Sequence, residues 1–517
     1  MAADGAALLA GGRFREAMVA YAQWLQREPL SVPARVGLAR ACMGAGEALS
    51  AAAWLSDAIR LAPDQAEPMQ LLADLCLAQG QHAQALPLYL QLGERFGLRT
   101  AVNLLRVGFC EEQLGRIAEA AAAYREALAV DPLLVDAHVD LAGVLWRLED
   151  GEGALAHARE AVRLAPASAA AQRILGTALL NLNRVDEAEA ALRRALELQP
   201  GLVPAQVDLA FTLLLAGRWP AGWHAYEQRW RDARVKRPAF WRAEGEWPGP
   251  SASLAGQAIA VVAEQGRGDT LQFLRFVPQL QALGARVCAV VPPDLVPLVE
   301  ASFDGVACLV PGRELRVQWH VALMDLAARL DTTFDTLPAQ VPYLRPPQAA
   351  RSLWRERLQP WQGEVKVGLA WCGSPVQVND RNRSMPLSTL LPLARTSGLR
   401  FFSLQKEQGG EWTDAGQDAL VDLTPHWQDF GDSAAMIEQM DLVLTVDTAI
   451  AHLAGALGKP VWILLGPNAD WRWLLDRADS PWYPTARLFR RGFGEARAAQ
   501  VERVRQALLA WRQQRGA

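Results

Sequence analysis

A spacing of 34 residues recurs along the N-terminal part of the chain and restricts its fold more than any other feature. Pro29 and Pro63 are 34 residues apart, and the same distance separates Pro132 from Pro166 and Pro166 from Pro200. A fixed period of this length is typical of arrays whose helical units bury their apolar faces only by stacking on their neighbours. The period therefore predicts an elongated stack of repeated units in this part of the chain.

A second signature lies between the prolines. It reads GRFREAMVAY from Gly12, GQHAQALPLY from Gly80, GRIAEAAAAY from Gly115 and NRVDEAEAAL from Asn183. Glycine or asparagine can close a helix in the left-handed conformation, small alanines let the next helix pack closely, and proline stops that helix. The pattern matches the tetratricopeptide repeat and predicts an α-solenoid of six or seven repeats within residues 1–235.

Three cysteines follow the same period, since Cys42, Cys76 and Cys110 are successively 34 residues apart. We interpret them as one small, buried helix position that recurs in each repeat, rather than as metal ligands or disulfide partners.

The composition limits the class of protein. The chain has 517 residues, of which 51% are hydrophobic and 21% charged, and its formal net charge is −4. This is a globular composition without the basic domain that a nucleic-acid partner would require. We find no apolar run of the roughly 18 residues that a membrane span needs, and no signal peptide. We therefore predict a cytoplasmic protein.

The pattern changes at Ala258 to short apolar runs that alternate with helical segments. The runs cover residues 258–263, 286–291, 306–310, 365–373, 401–404, 441–446 and 460–465. Such runs are typical of buried parallel strands, and the alternation predicts doubly wound sheets. We expect a linker at 236–256, an N-terminal Rossmann-like lobe at 257–348 and a C-terminal lobe at 363–517. A helix near 494–513 is expected to pack across both lobes.

Ligands of such sheets bind at the carboxyl ends of the strands, so the loops there are candidate sites. The first is Glu264–Asp269, in which Gly266 and Gly268 would let the backbone approach a ligand closely. Asp269 would stand at the start of the next helix, where it either takes part in chemistry or only caps the helix.

Two further loops carry groups suited to phosphate. In Asn379–Ser384, arginine side chains could clamp a diphosphate, or the loop could simply be solvated. In Thr445–His452 a strand turns into a helix whose free amides favour an anion. His452 would lie one turn inside that helix, on the same side as Thr448, with either a binding or a structural role.

Taken together, the loops resemble a bacterial family. The motifs are ExGxGD, WCGSPVQVNDRNRS, FFSLQKE, VDTAIAHLAGALGKPVW and DWRWLLDRADSPWYPTARLFR. In that family, tetratricopeptide repeats precede a domain similar to the lipopolysaccharide heptosyltransferases of glycosyltransferase family nine. The layout is also similar to the repeat-bearing O-GlcNAc transferases. The resemblance covers essentially the whole chain. It implies an α/β GT-B fold with two Rossmann-like lobes, a metal-independent reaction without a cofactor, and a nucleotide-diphosphate sugar as donor.

The resemblance also implies roles for individual residues. Asp269 matches the family's proposed catalytic base. The donor-binding positions are Gly266, Gly268, Arg383, Gln405, Lys406, Asp447, Thr448, Ala449 and His452. Among these, Arg383 would neutralise the diphosphate, Gln405 and Lys406 would contact the nucleoside, and Ala449 stands where the family has glycine.

We thus expect a glycosyltransferase, hexosyl- or heptosyltransferase-like, that transfers a sugar to a protein or glycan acceptor selected in the repeat groove. The alternative is a non-catalytic repeat scaffold whose C-terminal domain is degenerate or senses a nucleotide sugar. Homo-oligomerisation through the repeats stays open.

Overall fold

The computed structural model describes residues 2–232, 235–238, 240–312, 317–374, 379–406 and 418–515. By its internal contacts the chain forms two compact units, Met1–Ala178 and Leu179–Ala517. Within the described ranges, no helix combines the length and the apolar character needed to cross a membrane.

The N-terminal half consists of α-helices that pack in consecutive pairs. Their bounds are Ala2–Ala10, Phe14–Arg27, Val32–Gly44, Ala48–Leu61, Ala66–Ala78, His82–Phe96, Ala101–Gln113, Ile117–Val130, Val135–Leu145, Gly151–Leu164, Ala169–Asn181, Val185–Leu198, Val203–Leu215 and Trp219–Tyr226. The described chain thus contains seven helix pairs, which confirms the predicted solenoid.

The residues that define the period have the predicted structural roles. Gly12 and Asn183 lie between the two helices of their pairs with φ of 70° and 60°, the left-handed conformation that ends the first helix. Cys42, Cys76 and Cys110 are buried near the ends of the first helices of successive pairs. The cysteines are therefore packing positions, as the sequence indicated.

Two parallel sheets follow. The first comprises β1 (Ala258–Val262), β2 (Arg286–Val290), β3 (Ala307–Leu309) and β4 (Trp319–Ala322), in the order β3-β2-β1-β4. The second comprises β5 (Lys366–Ala370), β6 (Arg400–Ser403), β7 (Leu442–Val446), β8 (Val461–Leu465) and β9 (Ala486–Arg490), in the order β6-β5-β7-β8-β9. This confirms the predicted α/β part with two lobes; β4 and β9 were not predicted.

Helices connect the strands of these sheets. Their bounds are Arg267–Phe273, Val277–Ala282, Val296–Ser302, Leu326–Arg329, Gln348–Arg357, Asp380–Arg383, Leu387–Ala394, Phe430–Glu438, Ala449–Ala456 and Arg497–Gln514. The last helix differs from the expectation that it packs across both lobes. Its apolar residues, Val504 and Leu508 among them, share a core with Leu390 and Trp462 of the C-terminal lobe, because its apolar stripe faces that sheet.

The last helix pair of the solenoid packs on both lobes of the α/β part. The Trp219 ring lies 5.1 Å from that of Trp482, and the Trp223 ring lies 5.2 Å from that of Trp471. Trp223 also contacts the ring of Phe273 in the N-terminal lobe. Because of this shared aromatic core, the last repeats belong to the second compact unit, which begins at Leu179. The predicted domain bounds follow the sequence pattern instead and keep all the repeats together.

The described residues of the predicted linker, 236–256, also pack on the first sheet. The Trp247 side chain is fully buried. Its backbone N–H donates to the His320 carbonyl at 2.9 Å. This segment is therefore held against the N-terminal lobe.

Candidate active site

The loop after β1 places Asp269 in the first turn of helix Arg267–Phe273. Asp269 Oδ2 accepts a hydrogen bond from the backbone N–H of Gly266 at 3.0 Å, so the carboxylate caps this helix. Its other oxygen, Oδ1, accepts from Nη2 of Arg472 in the C-terminal lobe. The side chain keeps 23% of its surface exposed. Asp269 therefore caps its own helix, faces the second lobe and remains accessible.

Arg472 connects the two lobes. It lies in the 3-10 turn Trp471–Trp473 and is 9% exposed. Its Nε donates to Gln272 Oε1 at 2.7 Å and its Nη1 to Asp470 Oδ1 at 2.8 Å, besides the pair with Asp269. Charge-assisted bonds in a guanidinium's fixed fork set orientation as well as energy. Sequence reasoning assigned no role to Arg472, although the DWRWLLD motif contains it.

Gly268 lies against the start of helix Ala449–Ala456. A Cβ atom at Gly268 would lie 2.9 Å from Cδ2 of His452 and 3.5 Å from Cα of Ala449. Only glycine therefore permits the present approach of the two lobes. Three of the residues predicted to bind the donor therefore lie together: Gly268 of the first lobe, and Ala449 and His452 of the second.

Thr448 precedes that helix and caps it. Its Oγ1 accepts from the backbone N–H of Ile450 at 3.2 Å and lies 3.3 Å from Oγ1 of Thr445. One amide of the first turn is thus satisfied by the protein itself, which leaves fewer donors for an anion than a bare helix end would offer.

His452 is buried one turn inside the helix. Its Nδ1 lies 2.9 Å from the Tyr483 hydroxyl, and its ring stacks on that of Trp473 at 5.5 Å. Burial lowers the pKa of His452 well below its usual value, and the positive charges of Arg472 and Arg275 lower it further. The imidazole is therefore neutral near pH 7, and Nε2 is the ring nitrogen through which it could contact a ligand.

Arg383 lies at the carboxyl end of β5. The predicted loop forms a short helix here, Asp380–Arg383, because Asp380 accepts from Ser384 and from Arg383 Nε, the latter at 3.1 Å. Arg383 Nη1 donates to the Asp447 carbonyl at 2.9 Å. A Cβ atom at Gly373 would overlap the guanidinium. Arg383 is thus fixed in place beside Asp447 rather than solvated.

A narrow cavity opens beside Arg383. It is lined by Asn379, Asn382, Arg383, Asp447, Leu465, Gly466, Asn468, Ala469 and Asp470. Burial and the neighbouring Asp470 carboxylate together raise the pKa of Asp447 to about 6, although the positive charge of Arg383 opposes the shift. Amides and carboxylates can bond sugar hydroxyls, while the guanidinium can bind a phosphate. The loop after β8, residues 466–470, was not predicted to take part.

The remaining predicted donor residues are held by the backbone of the C-terminal lobe. Gln405 Oε1 accepts from the N–H groups of Cys372 at 3.2 Å and Trp371 at 3.4 Å, so it closes the end of β5. Lys406 Nζ donates to the Trp427 carbonyl at 2.9 Å. Residues 375–378 of the motif WCGSPVQVNDRNRS, and Glu407 of FFSLQKE, lie outside the described residues.

Protein-family models match segments in the repeat part and in the C-terminal lobe of the chain. Tetratricopeptide repeat families match residues 8–67, 111–169 and 144–203. Glycosyltransferase family 9 (heptosyltransferase) matches residues 410–505. The latter match contains β7, β8 and β9, and with them Asp447, His452 and Arg472.

A curated relative is protein FlbA of Caulobacter vibrioides, 30% identical over 311 residues, which cover 54% of this chain and 50% of the relative. The chain thus spans about half the length of this relative. Among solved structures, a chain of the APC/C hetero-tetramer Cut9-Hcn1 is 19% identical, with 45% of this chain and 46% of that chain covered and a TM-score of 0.37. YrrB, a TPR protein with an unusual peptide-binding site, is 16% identical, with 36% and 95% covered and a TM-score of 0.32. Scores this low do not establish a shared overall fold. From the family matches and its own architecture, the chain carries tetratricopeptide repeats and, in its C-terminal lobe, a glycosyltransferase family 9 (heptosyltransferase) domain.

Proposed function

We propose that the chain transfers a sugar from a nucleotide-diphosphate sugar to a hydroxyl of a protein or glycan acceptor. The observation that carries this proposal is the contact between Asp269 and Arg472. Because Asp470 bonds the same guanidinium and also lines the narrow cavity beside Arg383, the candidate base of one lobe lies near the groups of the other lobe that we propose to bind the diphosphate.

In the proposed reaction, the acceptor hydroxyl gives its proton to the carboxylate of Asp269. The acceptor oxygen then forms a bond to the anomeric carbon of the donor. The bond from that carbon to the diphosphate breaks, and its electron pair leaves with the nucleoside diphosphate. A carboxylate has about four lone-pair positions, so the bonds to Gly266 and Arg472 leave Asp269 the capacity to accept a proton. General-base catalysis of this kind contributes roughly 10²–10⁴ in rate.

The leaving diphosphate would be stabilised by Arg383 and by the start of helix Ala449–Ala456. Positioned cationic and amide donors at a developing negative charge each contribute about 3–4 kcal/mol in comparable sites. The bonds from Arg383 to Asp447 and Asp380 hold the guanidinium before the donor arrives. This preorganisation supports a role for Arg383 in binding the diphosphate.

The repeats would select the acceptor. Stacked helix pairs form a continuous concave surface. Polar side chains on the successive first helices contact each other: Arg106 Nη1 bonds Asp74 at 2.6 Å, and Asn103 Nδ2 bonds Gln70 at 3.0 Å. Such ordered polar groups are suited to an extended peptide, and we propose a protein or peptide acceptor in this groove.

Donor binding can be tested by thermal shift of the full chain with UDP-, GDP- and ADP-sugars, because a bound ligand raises Tm by mass action. Arg383→Gln should weaken binding of the stabilising donor by about 10–100-fold, the loss of a hydrogen bond to a charged group. Arg381→Gln is the matched control, since Arg381 is exposed and lies two positions away. Equal affinity of both variants would remove Arg383 from the donor site.

Slow hydrolysis of the bound donor separates the enzyme from the scaffold alternative. We expect the wild-type chain to release nucleoside diphosphate from the donor that stabilises it. A donor that binds but shows neither hydrolysis nor transfer to any protein or glycan acceptor would favour the non-catalytic, sensing role.

A further inference from the structure

Two residues at the end of the last repeat contact the loop that carries Asp269. Tyr226 ends helix Trp219–Tyr226, and Arg229 lies in the following 3-10 turn, Glu227–Arg231. Resting on the proposed transferase function, we infer that Tyr226 and Arg229 are positioning residues for Asp269. The last repeat is then part of the reaction centre as well as part of the solenoid.

Arg229 holds the first residue of the loop. Its Nη2 bonds Glu264 Oε1 at 2.6 Å and its Nη1 bonds Asp325 Oδ1 at 2.6 Å. All three side chains are at most 5% exposed. Removing one partner of a buried charge network leaves the other charges uncompensated, which is strongly unfavourable. Glu264, directly after β1 and Ala263, is therefore fixed by a residue from the repeat side.

Tyr226 holds the second residue of the loop. Its buried hydroxyl accepts a hydrogen bond from Nε2 of Gln265. The Arg229 guanidinium lies 4.4 Å from the centroid of the Tyr226 ring, which fixes the ring and the cation together. Tyr226 also interacts electrostatically with Asp269 and Arg472, so it lies close to the ion pair at the candidate site.

The loop is thus fixed at three consecutive positions. Glu264 bonds Arg229, Gln265 bonds Tyr226, and the N–H of Gly266 bonds Asp269 itself. Displacement of Glu264 or Gln265 would move Gly266 and hence the carboxylate that it contacts. Because a misplacement of about 1 Å can cost roughly 10²-fold in rate, this support should affect turnover more than donor binding.

The test compares Tyr226→Phe and Arg229→Gln with wild type, in the full chain. Tyr226→Phe keeps the ring and removes only the hydroxyl that accepts from Gln265. We expect kcat for donor hydrolysis or transfer to fall by about tenfold or more, while KM for the donor stays within about twofold. Arg229→Lys, which keeps the charge, should restore part of the kcat lost in Arg229→Gln. Arg329→Gln is the matched control. Arg329 pairs with Glu227 of the same turn at 3.2 Å, and with Glu246, rather than with the loop.

Amide hydrogen exchange tests the positioning role without an assay of enzymatic activity. Amide hydrogen exchange of the ligand-free chain should be faster at residues 264–269 in Tyr226→Phe and in Arg229→Gln than in wild type, and unchanged at Leu442–Val446 in β7. An unchanged loop would overturn the inference, and so would equal kcat in Tyr226→Phe and wild type. Faster exchange throughout the lobes would overturn it too, since it would indicate general destabilisation. A wild-type chain without any transferase or hydrolase activity would instead contradict the proposed function, and the exchange measurement would still decide the positioning role.

Discussion

Asp269 and Arg472 form an ion pair across 203 positions of sequence, with one residue in each lobe of the α/β part. The same guanidinium bonds Gln272 of the first lobe and Asp470 of the second. Arg472 is therefore the residue through which the candidate base, the helix that carries it and the lining of the cavity are fixed relative to each other.

The first prediction concerns this link. Arg472→Gln should lower the free energy of unfolding by about 1–3 kcal/mol, because the buried Gln272 amide and the partly exposed carboxylates of Asp269 and Asp470 lose their cation. Arg477→Gln is the control. Arg477 pairs with the exposed Asp479 at 2.7 Å, and such surface pairs contribute at most about 1 kcal/mol. Thermal unfolding of both variants measures the difference. A Tm for Arg472→Gln no lower than that for Arg477→Gln would show that the link between the lobes does not form.

The second prediction concerns the approach of the lobes at Gly268. Gly268→Ala should push helix Ala449–Ala456 away, since the added methyl group would lie 2.9 Å from His452. Overpacking of this kind costs about 1–3 kcal/mol. We expect weaker donor binding and a lower Tm. Gly201→Ala, at a position with open space around it, should leave both unchanged. Identical donor affinity in the two variants would contradict the close approach of Gly268 to the donor-binding helix.

The elements predicted correctly from sequence are those whose signal is local. Gly12 and Asn183 end helices wherever they stand, and the unbroken apolar runs of β1, β5, β7 and β8 need no partner to be recognised. β9 was missed because it lies at the edge of its sheet and the exposed Arg487 interrupts its buried residues. Its short ARLFR sequence therefore lacks the continuous apolar run by which the central strands were found.

The candidate site was predictable only in part, for the same reason. Asp269, Arg383 and Thr448 follow strands, so the rule for carboxyl ends located them. Arg472 and the loop 466–470 contribute through contacts between lobes, which no spacing in the sequence reveals. The positions of Tyr226 and Arg229 depend likewise on how the last repeat packs. The sequence left His452 with either a binding or a structural role, and its Nδ1 bonds Tyr483 in the interior, a contact that no spacing predicts.

The third prediction concerns pH. The pKa of Asp447, raised to about 6 in the folded chain, exceeds the value of about 3.9 of a free aspartate. Ionised Asp447 therefore destabilises the folded chain; the penalty is complete above about pH 6 and disappears below about pH 4. Asp447→Asn should therefore raise the free energy of unfolding at pH 8 by up to roughly 3 kcal/mol, and raise it less at pH 4.5. The rise in Tm, measured at both pH values, should show the same difference.

The control for this prediction is Asp304→Asn, which replaces an exposed carboxylate and should not show the same trend. If Asp447→Asn stabilised the chain equally at both pH values, or more at pH 4.5, the ionised carboxylate of Asp447 would not destabilise the folded chain, contrary to the prediction.

The most direct measurement for the account is sugar transfer, or donor hydrolysis, by Asp269→Asn beside wild type and Asp304→Asn, with donor affinity determined for all three. We expect Asp269→Asn to bind the donor within about twofold of wild type while its rate falls by about 10²-fold or more, because the proton acceptor is lost. Asp304→Asn should match wild type in both respects. Undiminished turnover by Asp269→Asn would contradict the assignment of Asp269 as the base and, with it, the reaction proposed for this site.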